Sequence, residues 1–130
     1  MEKVLFVCVH NSGRSQMAKA FFNILAKKRG IADSAGTMPS EYVNPVAIQV
    51  MHEVGIDISR EKPKLLTPEL IEKFDRVITM GCGAENACPA GYLPTEDWDL
   101  EDPEGKPIED VRLIRYKIKK RVEKLAAELK

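Results

Sequence analysis

The sequence contains no apolar run that approaches the roughly 20 residues of a membrane-spanning helix. It also has no excess of either charge, since 20 lysines and arginines balance 20 aspartates and glutamates. Proteins that bind nucleic acid usually carry a basic excess, so we expect neither membrane nor nucleic acid as a partner. The first ten residues hold one lysine and six consecutive apolar residues, too short a run for a signal peptide. We therefore expect a cytoplasmic protein.

Cysteine is scarce, with three residues at Cys8, Cys82 and Cys88. An odd number does not suit the paired disulfide framework of a secreted domain, and in reducing cytoplasm it favours catalysis or metal binding. The chain has 130 residues, of which 44% are hydrophobic and 31% charged. These proportions are typical of a globular protein, and the length predicts a single domain over residues 1–130.

Short apolar runs of strand length alternate with segments of helical periodicity along the whole chain. The strand candidates are residues 3–8, 32–37, 76–80 and 97–100. Such alternation predicts an α/β fold, with a four-stranded parallel sheet flanked by helices on both faces.

Helix signals fill the intervals between these strands. Apolar residues repeat at helical spacing from Ala18 to Leu25, and that helix is expected to end at Gly30. Asn44-Pro45 and Thr67-Pro68 each combine a capping side chain with a first-turn proline. The predicted helix after Asn44 runs to Gly55, with Val46, Val50, Met51 and Val54 on one face, and the helix after Thr67 runs to about Phe74. The stripe on the last helix consists of Val111, Ile114, Ile118, Val122, Leu125 and Leu129.

In parallel α/β sheets the chemistry lies beyond the carboxyl ends of the strands. Cys8 ends the first strand, and Cys82 follows the end of the third. Both cysteines are therefore expected at one edge of the sheet.

The strongest motif is the polar segment between the first strand and the first helix. It consists of Cys8, Val9, His10, Asn11, Ser12, Gly13, Arg14 and Ser15. Backbone N–H groups at a helix N-terminus form a cradle for a tetrahedral oxyanion. Arg14 supplies a planar fork for two of its oxygens, and the Cys8 sulfur faces the central atom as a nucleophile. The Ser15 hydroxyl is placed to donate a hydrogen bond to that sulfur.

This loop resembles that of the low-molecular-weight tyrosine phosphatase superfamily, which includes thioredoxin-coupled arsenate reductases. Further matching stretches are residues 34–37 (SAGT), 55–59 (GIDIS) and Asp102-Pro103. The resemblance implies that Asp102 is the general acid that protonates the departing oxygen. The alternative is that Asp102 belongs to a merely solvated acidic loop, because five other carboxylates lie within six residues of it.

Cys82 and Cys88 decide between reductase and phosphatase. A phosphatase needs one cysteine, whereas reduction of As(V) needs two electrons, which thiols supply in pairs. The resemblance implies a relay in which Cys82 attacks the arsenic adduct on Cys8, and Cys88 then attacks Cys82. A thioredoxin-like protein would reduce the resulting disulfide, with arsenate as substrate and no cofactor. The alternative is a phosphatase-type phosphate monoester hydrolase.

The sequence departs from the reductase pattern at three places. Cys88 follows Cys82 by six residues, one fewer than in familiar members; Gly13 stands where relatives often carry cysteine; and Lys19 stands where potassium-binding members place a glutamate. We expect the cradle to tolerate the glycine, and we expect no potassium site.

Two further features of the sequence bear on the kind of site. Phosphatases of this superfamily typically follow Asp-Pro with aromatic residues, whereas Glu104 and Gly105 follow here, which favours a small inorganic substrate. The third reading is a metal-binding or redox-sensing module that uses His10 with the cysteines. The cysteine spacing matches no zinc knuckle, so no metal is predicted, and His10 is expected at the rim of the pocket.

Overall fold

The computed structural model describes residues 1–80 and 96–129. Its four strands are β1 (Glu2–Cys8), β2 (Gly30–Gly36), β3 (Arg76–Thr79) and β4 (Glu96–Asp97). They form one parallel sheet in the order β2-β1-β3-β4. The strand that ends in Cys8 thus lies inside the sheet, between β2 and β3.

Successive side chains of β1 alternate between two separate apolar clusters, as the pleat of a strand requires. Val4, Phe6 and Cys8 face the larger cluster, and Leu5 and Val7 face the smaller one. Both faces of the strand are buried, which explains its unbroken apolar run.

Within the described residues, four α-helices pack around the sheet. They are α1 (Arg14–Leu25), α2 (Pro45–His52), α3 (Pro68–Ile71) and α4 (Ile108–Glu128), with a short 3-10 helix at Lys27–Arg29. Residues of α1, α2 and α4 pack in the larger cluster, while α3 packs against the smaller one. Helices therefore cover both faces, and the predicted α/β fold with a four-stranded parallel sheet is confirmed.

The predicted caps of α2 and α3 are confirmed. Asn44 Oδ1 accepts a hydrogen bond from the Val46 N–H at 2.8 Å, and Thr67 Oγ1 accepts one from the Leu70 N–H at 3.1 Å. The apolar stripe of α4 is also confirmed, because all six of its predicted members are buried. Within the two described ranges, none of the helices combines the length and apolarity needed to cross a membrane.

Element ends were the part of the sequence prediction that was wrong. Helix α1 ends at Leu25 and a 3-10 turn follows it, so the chain reaches Gly30 outside the α-helix. Helix α2 stops at His52, which leaves Val54 46% exposed beyond its end instead of on its apolar face. Helix α3 stops at Ile71, and β4 begins one residue earlier than predicted and ends at Asp97.

Candidate active site

Cys8 is the last residue of β1, and its side chain is only 2% exposed. Its Sγ lies 2.9 Å from Ser15 Oγ, in the first turn of α1. The Ser15 oxygen also accepts a hydrogen bond from Asn11 Nδ2 at 2.6 Å. A hydroxyl has one proton and two lone pairs, so the proton of Ser15 remains available to the sulfur. The predicted Ser15–Cys8 contact is thus present.

Asn11 fixes the shape of the loop. It is fully buried and has a φ of 51°, in the left-handed region that asparagine tolerates better than most residues. Its Oδ1 accepts the Lys64 N–H at 3.0 Å, and its carbonyl accepts Gln16 Nε2 at 3.1 Å. The side chain of one loop residue therefore connects the chain at Lys64 to Ser15.

The backbone of the loop is held by the segment that follows β2. Loop carbonyls accept hydrogen bonds from three N–H groups, with distances of 2.8 Å (Met38 to Val9), 3.0 Å (Ser40 to His10) and 2.8 Å (Asn44 to Ser12). In a trans peptide the following N–H points opposite to the carbonyl. The N–H groups of residues 10, 11 and 13 therefore point away from this segment, toward the inside of the loop, where an oxyanion can accept from them.

Gly36, at the end of β2, allows this close approach. A methyl group at this position would lie 2.6 Å from the Val9 carbonyl oxygen and 2.9 Å from the Asn11 nitrogen. Both are backbone atoms that cannot rotate away. The SAGT stretch of the sequence therefore supports the loop through its backbone.

Arg14 and Asp102 face each other across the site. The Arg14 side chain is 5% exposed, and its Nη2 lies 3.9 Å from Asp102 Oδ2. Arg14 Nη1 also donates to the Leu100 carbonyl at 3.1 Å. Asp102 Oδ1 accepts the Glu104 N–H at 3.0 Å, which holds the carboxyl group in a turn with Oδ2 toward Arg14. The structure thus brings Asp102 to the loop of Cys8, where its predicted role requires it.

The His10 side chain is 32% exposed, and its Nδ1 lies 3.1 Å from the Met38 carbonyl oxygen, while its place at the pocket rim stays a prediction. Its Nε2 lies 3.9 Å from a carboxylate oxygen of Glu104. Within the described ranges, one group offers three ligand atoms within 4.8 Å of one another: His10, Asp102 and Glu104. Both carboxylates are exposed, and such groups are common without an ion, so the absence of a metal stays a prediction.

Lys19 lies beside Asp33, which also pairs with Lys64. Its ammonium group pairs with Glu61 and lies 3.5 Å from Asp33 Oδ1. Burial raises the pKa of the Asp33 carboxyl, but hydrogen bonds from Lys64 and Ser34, with the charges of Lys64 and Lys19, hold it below its ordinary value. The Lys19 ammonium group thus stands where, by the resemblance, potassium-binding members carry a glutamate. The absence of a potassium site stays a prediction.

An open groove of about 520 Å³ adjoins the loop. It is lined by Ser12, Ser40, Glu41, Tyr42, Asn44, Pro45, Glu104 and Gly105. Its edge therefore carries two carboxylates and one exposed aromatic ring.

The sequence-predicted residues 8–15 and Asp102 all come together, whereas Cys82 and Cys88 lie outside the described residues. Two supporting residues, Lys64 and Gln16, were not found from the sequence. Their contacts to Asn11 span 53 and 5 residues and use backbone atoms or an ordinary amide, which leave no motif.

Comparison with known proteins agrees with this geometry. The family model described as low molecular weight phosphotyrosine protein phosphatase matches residues 3–130. The chain is 41% identical over 133 residues to the glutaredoxin arsenate reductase of Synechocystis, covering 99% of both proteins. A solved arsenate reductase in the reduced state is 40% identical and superposes with a TM-score of 0.85 over 100% of both chains. A low molecular weight protein tyrosine phosphatase from T. tengcongensis is 30% identical with a TM-score of 0.81, covering 99% of this chain and 100% of that one.

Proposed function

The chain belongs to the low molecular weight phosphotyrosine protein phosphatase family, and we propose that within this family it is an arsenate reductase. Arsenate is a tetrahedral oxyanion, and the loop of residues 8–15 offers inward N–H groups, a buried guanidinium and a sulfur beneath them. Curated relatives with the name arsenate reductase, at 36–41% identity, support this assignment of substrate.

The first step forms a bond between the Cys8 sulfur and arsenic. The thiolate attacks, one oxygen leaves, and Asp102 gives that oxygen the proton that lets it depart as water. Arg14 and the loop N–H groups hold the remaining oxygens as charge develops on them. The 3.9 Å separation of Arg14 Nη2 and Asp102 Oδ2 supports these two roles. At that distance the guanidinium that binds the anion and the carboxyl that protonates its leaving oxygen can reach the same arsenate.

The second step transfers two electrons. The Cys82 thiolate attacks the Cys8 sulfur, a disulfide forms, and the electron pair of the sulfur–arsenic bond passes to arsenic. As(V) becomes As(III) and leaves as arsenite, while the two thiols are oxidised. Cys88 then attacks Cys82, which frees Cys8 and leaves a Cys82–Cys88 disulfide.

The observation that carries the reductase proposal is the path of the chain out of β3. Thr79 pairs with Val7 in the sheet, and the Met80 N–H donates to the Val7 carbonyl at 2.8 Å. The chain thus leaves β3 next to Cys8, two residues before Cys82. A hydrolase needs no second thiol, whereas the sequence has one two residues after Met80.

An external dithiol protein must reduce the final disulfide. We propose a donor of the thioredoxin or glutaredoxin type, since one relative has glutaredoxin in its name and another is a thioredoxin-dependent arsenate reductase. The three cysteines must be thiols between turnovers, which fits a reducing cytoplasm.

The second candidate function is hydrolysis of phosphate monoesters. The same loop accepts phosphate, and the exposed Tyr42 ring on the adjoining groove offers a surface for an aromatic substrate. The Cys82 and Cys88 thiols would then have no part in turnover.

One assay separates the two functions. The purified protein is mixed with arsenate and with thioredoxin, thioredoxin reductase and NADPH, or with glutaredoxin, glutathione and its reductase. NADPH oxidation is compared with hydrolysis of an aryl phosphate, with Cys8→Ser as the control for both. We expect arsenate-dependent NADPH oxidation with at least one donor. Rapid ester hydrolysis without arsenate turnover under either donor would establish the phosphatase.

A further inference from the structure

Helix α4 carries a row of positive side chains along an open groove of about 740 Å³. The cations that line this basic groove are Lys117, Lys120, Arg121 and Lys124. Residues 117–124 contain five lysines and arginines and one glutamate. Because the whole chain has no net charge, this stretch carries +4 and the remainder of the chain −4. The positive charge of the protein is therefore concentrated on one short piece of helix.

The fold leaves most of these charges unpaired. Lys117 and Arg121 are four residues apart, as are Lys120 and Lys124, so each pair are neighbours on the helix surface. Like charges at that spacing destabilise a helix. Among the described residues, Lys120 pairs with Glu123 at 3.7 Å, and the other three cations of the groove have no ion pair. A row of cations that repel one another favours an anionic partner from outside the chain.

The basic groove adjoins the site. Leu100 lies in its wall, and the Leu100 carbonyl accepts a hydrogen bond from Arg14 Nη1 at 3.1 Å. A narrower crevice on the same helix is lined in part by Arg121, Lys124 and Glu96, the first residue of β4. The cations thus lie beside β4 at both of its ends. This is the strand on which the chain returns to the sheet after its two later cysteines.

We propose that the basic groove docks an acidic face of the dithiol protein that reduces the enzyme. The inference rests on the proposed function, in which the donor's two thiols become a disulfide as Cys82 and Cys88 return to thiols. The donor must reach cysteines that lie between Met80 and Glu96 in the sequence, and Glu96 borders the cations of the groove. Opposite charges at that place speed the encounter and orient the partner. Nucleic acid fits less well, because the chain has no basic excess.

Charge reversal in the groove tests this. Lys117→Glu/Lys124→Glu is compared with the wild type by kcat/KM for thioredoxin and for glutaredoxin, in the coupled NADPH assays at saturating arsenate. For the donor that supports turnover, kcat/KM should fall about tenfold at low salt, while kcat stays within about twofold. Between about 0.01 and 0.1 M salt the Debye length shrinks from about 30 to about 10 Å. The wild-type kcat/KM should therefore fall over this range, and that of the variant should change little.

Lys28→Glu/Lys119→Glu is the matched control, because it makes the same change in net charge outside the groove. Both side chains are exposed, and Lys119 lies about 200° around α4 from Lys117. This control should keep the donor kinetics of the wild type. An equal loss in the control would show a response to net charge alone and overturn the inference. An undiminished kcat/KM in Lys117→Glu/Lys124→Glu would overturn it as well.

A single turnover without donor separates this inference from the proposed function. The arsenite yield and the arsenate concentration at half-maximal rate should match in the wild type and in Lys117→Glu/Lys124→Glu. If the half-maximal concentration rose as much as kcat/KM for the donor fell, the cations would attract arsenate instead, which overturns the inference. If the wild type formed no arsenite, the proposed function would fail, and the docking of a donor with it.

Two further measurements keep the outcome decisive. Should the reversed variant not fold, Lys117→Gln/Lys124→Gln replaces it and should lower kcat/KM for the donor about threefold at low salt. A wild-type value in that variant overturns the inference. Binding of a labelled DNA duplex is measured in parallel. Duplex binding that the charge reversal abolishes, beside unchanged donor kinetics, would identify a nucleic-acid surface and overturn the docking of a dithiol protein.

Discussion

The sulfur of Cys8 lies 2.9 Å from the hydroxyl oxygen of Ser15, and Asn11 Nδ2 donates to that same oxygen. Asn11 has its own support, since its Oδ1 accepts the Lys64 N–H. The three side chains form a buried chain of polar contacts that ends at the nucleophile. We therefore expect the reactivity of Cys8 to depend on Ser15 and Asn11.

Ser15→Ala should slow the single-turnover reduction of arsenate at neutral pH by roughly tenfold. A hydrogen bond to a charged group contributes about 1.5 kcal/mol or more, and this change removes one from the thiolate. Ser40→Ala is the control, because the Ser40 side chain is exposed and only its backbone N–H holds the loop. An unchanged rate in Ser15→Ala would show that the Ser15 hydroxyl does not stabilise the thiolate.

Arg14→Lys should lower the same rate by about 10² or more, because a single ammonium cannot replace a guanidinium that binds two oxygens at once. Sulfate affinity, measured by calorimetry, should fall with it. Arg115→Lys is the matched control, since that arginine also donates to a backbone carbonyl, Val50 at 2.7 Å, but joins α4 to α2. Wild-type sulfate binding in Arg14→Lys would contradict the proposed anion site.

Asp102→Asn should slow formation of the Cys8–arsenic adduct by roughly 10²–10⁴, the usual range for loss of a general acid. Sulfate affinity should change little or improve slightly, because the substitution removes a negative charge that lies 3.9 Å from the Arg14 guanidinium. The exposed Asp99 offers a nearby carboxylate for comparison, and Asp99→Asn should react at the wild-type rate. If sulfate binding collapsed in Asp102→Asn, the carboxyl group would be a structural support instead.

Glu53 gives the fold a defined dependence on acid. Hydrogen bonds from Arg112 and Arg115 on α4 lower the pKa of this carboxyl from 4.5 to about 2. The contribution of this group to stability is therefore present in full above pH 4.5 and is lost as the pH falls through 2. Urea unfolding of wild type and Glu53→Gln should differ most above pH 4.5 and converge near pH 2. Glu128→Gln removes an exposed carboxylate from α4, the helix that carries Arg112 and Arg115. This control should not show the convergence.

The sequence allowed the loop of Cys8 to be predicted because its signals are local. An apolar run ends at Cys8, a polar segment follows, and apolar helical spacing begins after it, so strand, loop and helix follow from neighbouring residues. The parallel sheet with helices on both faces also followed from the alternation of elements. Asp102 could be placed at the site only through the family resemblance, since five nearby carboxylates give it no distinction in the sequence.

The support of the loop could not be predicted for a physical reason. The bonds from Met38 to Val9 and from Asn44 to Ser12 join backbone groups, which every residue carries. Gly13 and Pro103 are 90 residues apart in the sequence, and they lie close together because residue 13 has no side chain. The predicted end of α2 was wrong for a related reason. Val54 continues the apolar spacing of α2, but the helix has already ended at His52.

The central claim is that Cys8 and Cys82 together supply the two electrons that reduce arsenate. The sharpest test is a single exposure of reduced Cys88→Ser protein to arsenate without any external donor, followed by arsenite quantification and peptide mapping. We predict about one arsenite per protein, and a disulfide that joins the Cys8 and Cys82 peptides. Cys82→Ser, treated identically, should form neither and should keep arsenic on Cys8. Arsenite formation that proceeds equally in both variants, or in neither, would contradict the relay.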